Sequence, residues 1–377
     1  MNKRFLVIIF IVAFIIFSGC TSKLSEQQNN SQGDVVSGGS EFSLFDYPPI
    51  DPEKIGYIIP MGNMDGSHVT PVDHQYYIPY DRNSMDTAVY SPGNGVVISI
   101  GHMNVSVGDK ASALDDYRIV IKHSDKISSV YIHIDFLSEK LAAFDPGLGN
   151  NANTNIEVAS GEVIGRGNGI DYNIVDENVT LSFVNPSSYA VESWKIHCSD
   201  PFDYFNESVR NVMVSKCLRS AKPVGGKIDY DIDGRLVGTW FLNNTNGYEG
   251  LDKNRYWAGH LVIAYNNIDP DEIIVSIGTY INSSMQFAVK GNSPNPANVS
   301  VSELVKYELV NFDYYANGIK WDRASFARGL EIINNDEVQG VILLQLVDNR
   351  TLNVEIFPGK SADEVSGFKE NASTYVR

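Results

Sequence analysis

The chain is poor in basic residues and in cysteine, and it has no apolar run long enough to cross a membrane. Its 377 residues include 29 lysines and arginines against 46 aspartates and glutamates, for a formal net charge of −17. A protein that binds nucleic acid through phosphates needs a basic face, so this charge argues against a nucleic-acid partner. The hydrophobic share of 43% and the charged share of 20% are those of a globular chain.

The longest apolar run covers residues 5–17 and follows a basic start at residues 1–4. It is shorter than the roughly 20 residues of a membrane-spanning helix and is typical of a signal peptide. The sequence Ser-Gly-Cys that follows, ending at Cys20, resembles the lipobox of prokaryotic lipoproteins. Phe17 departs from that pattern, because its position usually holds leucine.

The lipobox resemblance implies a signal peptide over residues 1–19 and a lipid on Cys20. Residues 20–47 are polar and rich in Gly, Ser and Gln, which predicts a flexible tether. An ordinary signal peptide and an uncleaved anchor remain alternatives. All three place the rest of the chain outside the cytoplasm, and the lipid would hold it on the extracytoplasmic face of the cell membrane.

The other two cysteines are Cys198 and Cys217. An even pair in an oxidising compartment predicts a disulfide between them. Metal ligation by the two thiols is the alternative.

The pattern of short apolar segments separated by turns predicts a mostly β protein with two domains. Residues 48–224 form the first, with strands that include 179–184 and a more helical insert at 201–219. Residues 225–360 form the second, as a β-barrel or β-sandwich. Residues 361–377 are expected to be a solvated tail. The candidate strands of the second domain are 235–242, 260–265, 273–277, 285–289, 306–310, 341–346 and 352–357.

The first domain carries a series of motifs in a recognisable order. They are a His…Asp pair in 66–73, a strand and Gly turn in 89–97, a strand at 117–123, Tyr-x-His in 131–134 and a Gly hairpin in 158–165. The series resembles lysostaphin-type zinc endopeptidases over about 120 residues. The resemblance implies that family's β-fold; a lipoyl-like β-domain with Gly turns is the alternative.

In that family, zinc is held by the His…Asp pair and by the second histidine of a later His-x-His, and zinc-bound water attacks the peptide. Here four residues separate His68 from Asp73, one more than in the family. Thr180 and Ser182 stand where the two histidines of His-x-His are expected. His133 alone keeps a family catalytic position. The resemblance therefore implies a degenerate site, with no cofactor expected.

A rearranged metal site remains possible, because His68, Asp73 and His74 lie close together in the sequence and the fold would bring His133 near them. Zinc would be its metal.

The second domain begins with Gly238-Thr239-Trp240, which looks like the first strand of lipocalin-type barrels. Such barrels can hold a small apolar ligand. Tyr256, Trp257 and Trp321 are candidates for lining a cavity, and core packing explains them equally well.

Three functions follow. The first is a tethered binding or scaffolding module with an inactive peptidase-like domain. The second is an active zinc endopeptidase that cleaves cell-wall or protein peptides. The third is a carrier of a small apolar ligand. The expected partners are the membrane, through the lipid, and a cell-envelope polymer or protein.

Overall fold

The first half of the chain is built from antiparallel β-sheet, in a computed structural model that describes residues 44–81, 86–103 and 115–377. An eight-stranded sheet has the order β1-β2-β10-β6-β5-β4-β8, with β11 paired to β10, and a smaller sheet has the order β3-β9-β7. The strands are β1 (Ile55–Ile59), β2 (Gln75–Pro79), β3 (Thr87–Tyr90), β4 (Gly95–His102), β5 (Tyr117–Lys122), β6 (Ile127–Ile134), β7 (Phe136–Leu137), β8 (Asn151–Val158), β9 (Val163–Gly167), β10 (Ile170–Asp176) and β11 (Cys198–Ser199).

The two sheets share one apolar core because their strands alternate. On β5, every second side chain is buried, and Ile119 and Ile121 pack in the same cluster as Ile164 of the smaller sheet. This alternation is the period-2 pattern of a strand with one buried face.

Helices are short. The insert contains α2 (Glu207–Lys216), which begins where the Asn206 side chain accepts a hydrogen bond from the Val209 N–H, and buries Met213. A single helical turn, α1 (Glu139–Ala142), follows β7. The remaining helical segments are 3-10 helices at Pro186–His197, Pro201–Tyr204, Gly247–Glu249, Tyr256–Gly259, Lys290–Asn292 and Ala362–Glu364.

The second half forms the expected barrel. Strands β15-β14-β13-β12-β20-β19-β18-β16 pair in this order, and β15 also pairs with β16, so eight strands close on themselves. The strands are β12 (Gly238–Leu242), β13 (His260–Tyr265), β14 (Ile273–Tyr280), β15 (Ser283–Val289), β16 (Leu304–Ala316), β17 (Ile319–Lys320), β18 (Glu331–Asp348), β19 (Thr351–Pro358) and β20 (Ser373–Val376). All seven strands predicted from the sequence are confirmed.

A single apolar cluster occupies the barrel interior, with Trp240, Phe287 and Tyr307 fully buried in it. Eight strands leave an interior just wide enough for side chains to fill. Tyr256 and Trp321 pack in other apolar clusters, which agrees with the core-packing alternative and not with a cavity inside the barrel.

Residues 361–377 are not a solvated tail. Strand β20 pairs with both β12 and β19 and closes the barrel. The guanidinium of the last residue, Arg377, lies 4.0 Å from the Trp240 ring centroid and donates to three backbone carbonyls, those of Val237, Ile232 and Arg235.

The predicted disulfide is absent, because its two cysteines lie in different clusters. Cys198 is buried on β11 beside Asn173, whereas Cys217 follows α2 and its thiol donates to the Val224 carbonyl. Burial raises the pKa of both thiols, that of Cys217 to about 12.

The two halves are in contact through the outer face of the barrel. Val262 and Ala264 of β13 pack in one buried cluster with Tyr57 and Met64 of the first half. The Asn267 amide adds a hydrogen bond of 3.0 Å to the Pro60 carbonyl. The boundary near residue 224 stays a prediction.

The predicted signal peptide, Cys20 and most of the tether lie outside the described residues. The tether ends earlier than predicted, because Phe45 is buried in the core and its N–H donates to the Tyr204 carbonyl. Within the part of the chain that is described, no helix is both long and apolar enough to span a membrane.

Candidate functional site

Three neighbouring strands of the larger sheet bring a histidine–aspartate cluster together. Strand β10 lies between β2 and β6, and Asp171 on it is in register with Tyr76 and Ile132. His74 precedes β2, and His133 follows Ile132 on β6. The side chain of Asp171 therefore has a histidine on each side.

A tight turn sets where β10 begins. Gly169 has φ of +96°, and a Cβ there would lie 2.8 Å from the Tyr77 carbonyl oxygen. Only glycine accommodates both constraints at little cost. The turn places Asp171 and Asn173, two residues apart, on one face of β10.

Both nitrogens of His74 are close to carboxylates. Its Nδ1 lies 3.0 Å from Asp73 Oδ1 and its Nε2 lies 3.1 Å from Asp171 Oδ2. The His133 imidazole has similar neighbours, with Nδ1 at 3.0 Å from Asp116 Oδ2 and Nε2 at 3.4 Å from Asp171 Oδ2.

The backbone of His133 has a positive φ of 67°. This conformation is uncommon for residues other than glycine and costs about 1–3 kcal/mol. The two carboxylates that flank the ring offset that cost.

The 3-10 helix Pro186–His197 supplies a cation to the same cluster. Lys195 Nζ lies 3.0 Å from Asp73 Oδ2 and 3.1 Å from Glu192 Oε2, and Trp194 Nε1 donates to Asp73 Oδ2 at 3.1 Å. Lys195 is buried, and its ammonium lies 4.9 Å from the Tyr248 ring centroid.

The pKa values follow from these contacts. Burial alone would lower the pKa of His74, but the carboxylates of Asp171 and Asp73 more than offset it and raise that pKa to about 9. The pKa of Asp73 is held well below its ordinary value, despite burial, chiefly by Lys195. Burial lowers the pKa of His68 to about 4, so this ring is neutral at pH 7.

These donors do not fit a family-type zinc site. A zinc ligand must present a free nitrogen or oxygen lone pair, and carboxylates already face both nitrogens of His74. Lys195 already places a positive charge on Asp73. Within the described ranges, no group of three or more His, Cys, Asp or Glu residues is arranged to hold a metal ion.

The structure brings together His68, Asp73, His74 and His133, as the sequence led us to expect. The rings of His68 and His74 are 6.3 Å apart, centroid to centroid. Ser182 is elsewhere: its N–H donates to Asp229, and no strand forms over 179–184.

Asp171, Asn173 and Lys195 were missed. The strand that follows the Gly hairpin is β10, so Asp171 and Asn173 hold the positions at which Thr180 and Ser182 were expected. The alternation Ile-Asp-Tyr-Asn-Ile directly after the hairpin was the available signal.

A cleft of about 200 Å³ opens beside the cluster. Its walls come from both halves of the chain, since Tyr248 and Tyr256 face His68, Arg118 and Trp194 across it.

Comparisons with known proteins add little. No protein-family model matches the chain, and no curated protein matches it. Among the solved structures that match is a chain of the SpoIIQ–SpoIIIAH pore-forming complex, with 14% identity and a TM-score of 0.27, over 44% of this chain and 94% of that one. A TM-score this low supports no conclusion about fold or function.

We predict that stability decreases as the pH rises from 6.5 to 9. The folded protein holds a proton on His74 up to pH 9, whereas the unfolded chain loses it near the ordinary pKa of 6.5. The resulting stabilisation is complete below pH 6.5 and is lost as the pH rises through 9, a loss of about 3 kcal/mol. Urea unfolding at several pH values measures it.

Below pH 6.5, the stability is expected to change with pH in the opposite direction. His68 is neutral in the folded state down to a pKa of about 4. The free energy of unfolding therefore decreases as the pH falls from 6.5 towards 4, because the unfolded chain binds this proton more tightly than the folded protein does. A free energy of unfolding that is flat between pH 6.5 and 9 would contradict the assignment of a charged His74.

Proposed function

We propose that this protein is a membrane-tethered, extracytoplasmic binding or scaffolding module whose peptidase-like domain does not catalyse hydrolysis. One observation carries the loss of catalysis: buried ion pairs with Asp171 and Lys195 engage His74 and Asp73, two of the three candidate zinc ligands. The lysostaphin-type motifs in the sequence support the peptidase-like fold.

The location is proposed from the sequence alone, on the short apolar run and the lipobox-like residues before Cys20. A cell-envelope polymer or envelope protein would be the partner.

The carrier function is less well supported. A ligand inside the barrel would have to displace Trp240, Phe287 and Tyr307, which are fully buried there. Close packing of this kind leaves no room without rearrangement.

The test is zinc content together with peptide hydrolysis. We expect the full chain, purified in the presence of zinc and then dialysed, to retain less than stoichiometric zinc and to leave cross-bridge peptides intact. One zinc per chain, lost together with hydrolysis in His74→Ala, would overturn the proposal and favour the active endopeptidase.

A gain-of-binding variant sharpens the test. Asp171→His with Asn173→His installs His-x-His on β10, and Lys195→Met removes the competing cation. We expect this triple variant to bind zinc. The matched control, Thr180→His with Ser182→His, should not, because residues 180 and 182 lie outside the cluster.

A further inference from the structure

The cleft beside the ion-pair cluster contains a cation without a directly paired carboxylate. Arg118, on β5, lies with Cζ 5.4 Å from the Trp194 ring centroid and lines the cleft. The carboxylates of Asp73 and Glu192 line the same cleft and favour its charge, but among the described residues neither forms an ion pair with its guanidinium.

The neighbouring carboxylates are already engaged. Asp73 faces Lys195, His74 and the Trp194 indole, and Glu192 faces Lys195. A guanidinium has five N–H donors, and none of those of Arg118 is among the buried polar atoms that lack a partner, so they are open to solvent in the cleft. An oxygen of a ligand in the cleft would replace that water.

The surrounding side chains define the size and polarity of that ligand. The cleft volume of about 200 Å³ is below that of pockets for drug-sized molecules. Tyr248 and Tyr256 offer aromatic walls, and Val130 and Ile132 offer apolar ones. His68 is also in the wall, with a neutral ring that can donate one hydrogen bond.

We infer that this cleft binds a small ligand through its carboxylate, which the Arg118 guanidinium holds by two parallel hydrogen bonds. Paired bonds of this geometry are the preferred contact between arginine and a carboxylate. The end of a peptide is a ligand of this chemistry. The inference rests on the proposed function, since it treats the cleft as a binding site.

Isothermal titration of the full chain at neutral pH tests the inference with two probes that differ only in their C-terminal group. They are N-acetylglycylglycine and its C-terminal amide. We expect the acid to bind and the amide to bind at least tenfold more weakly, since the amide offers no charge-assisted pair. Equal binding of the two, or no binding of the acid, would overturn the inference.

Substitutions of Arg118 test whether its guanidinium binds the carboxylate. Arg118→Met should weaken binding of the acid by roughly tenfold or more, and Arg118→Lys should lose affinity as well, because an ammonium makes no paired contact. The control is Arg210→Met, an exposed arginine on α2 that pairs with Asp203, which should bind like the unmodified protein.

Phosphate binding and zinc content are measured as well, so that failure of the inference can be distinguished from failure of the proposed function. Inorganic phosphate that binds as tightly as the acid would replace the carboxylate assignment with a general anion site. Zinc content is measured on the same sample. Bound zinc together with hydrolysis would contradict the proposed function. Zinc-free protein that does not bind N-acetylglycylglycine would contradict the inference alone. The comparison of acid with amide needs no variant and stands even if Arg118→Met fails to fold.

Discussion

Deletion of residues 373–377 is expected to abolish the folded barrel. The deletion removes β20, which is hydrogen-bonded to β12 through Phe241 and Leu242 and to β19 through four register pairs. Both neighbouring strands would then have open edges, and Trp240 would lose the cover of Arg377. Far-UV circular dichroism and size-exclusion chromatography should report loss of the thermal transition and aggregation.

A single substitution tests the closure of the barrel by β20 with a smaller change. Arg377→Met keeps β20 but removes three hydrogen bonds and the contact with Trp240, and it should cost about 3 kcal/mol. Arg350→Met, at a half-exposed arginine paired with Asp233, is the control and should change stability little. An unchanged melting temperature in the deletion variant would refute the role of β20.

The second large effect is expected at Asp171→Asn. This carboxylate lies against both His74 and His133, and its removal leaves the buried imidazolium of His74 and the partly exposed one of His133 with less compensation. Breaking a buried ion pair in this way costs about 3–5 kcal/mol. Urea unfolding at neutral pH measures the loss.

The pH dependence separates loss of charge from loss of packing. Without Asp171, the pKa of His74 should fall, because that carboxylate is the largest influence that raises it. The decrease in stability between pH 6.5 and 9 should therefore become smaller. The control is Asp125→Asn, whose exposed carboxylate pairs with Lys122, and it should retain the full pH dependence. A variant with normal stability and an unchanged pH profile would refute the ion-pair network.

Much of the fold could be predicted because burial leaves a pattern in the sequence. Strand β5 alternates as a half-buried strand does, and β13 is buried at five of its six positions because its outer face packs on the first half of the chain. Strand β20 could not be recognised in this way. It has four residues, and its partners β12 and β19 rather than its own composition make it a strand.

The candidate site was predictable only in part. His68, Asp73, His74 and His133 belong to motifs, and the sheet brings them together. Lys195 belongs to no motif, because its role depends on the 3-10 helix Pro186–His197 packing onto Asp73, a contact between residues distant in the sequence. The cysteine pair was misjudged for a related reason: counting thiols says nothing about which core each one enters.

The separation of β12 and β20 in the sequence has a consequence for the order of folding. Strand β12 (Gly238–Leu242) gains its second neighbour only when β20 (Ser373–Val376) reaches it. Contacts between residues so far apart in sequence form slowly. Closure of the barrel is therefore expected late in folding, and the apolar interior around Trp240 stays exposed to solvent and to aggregation until β20 pairs.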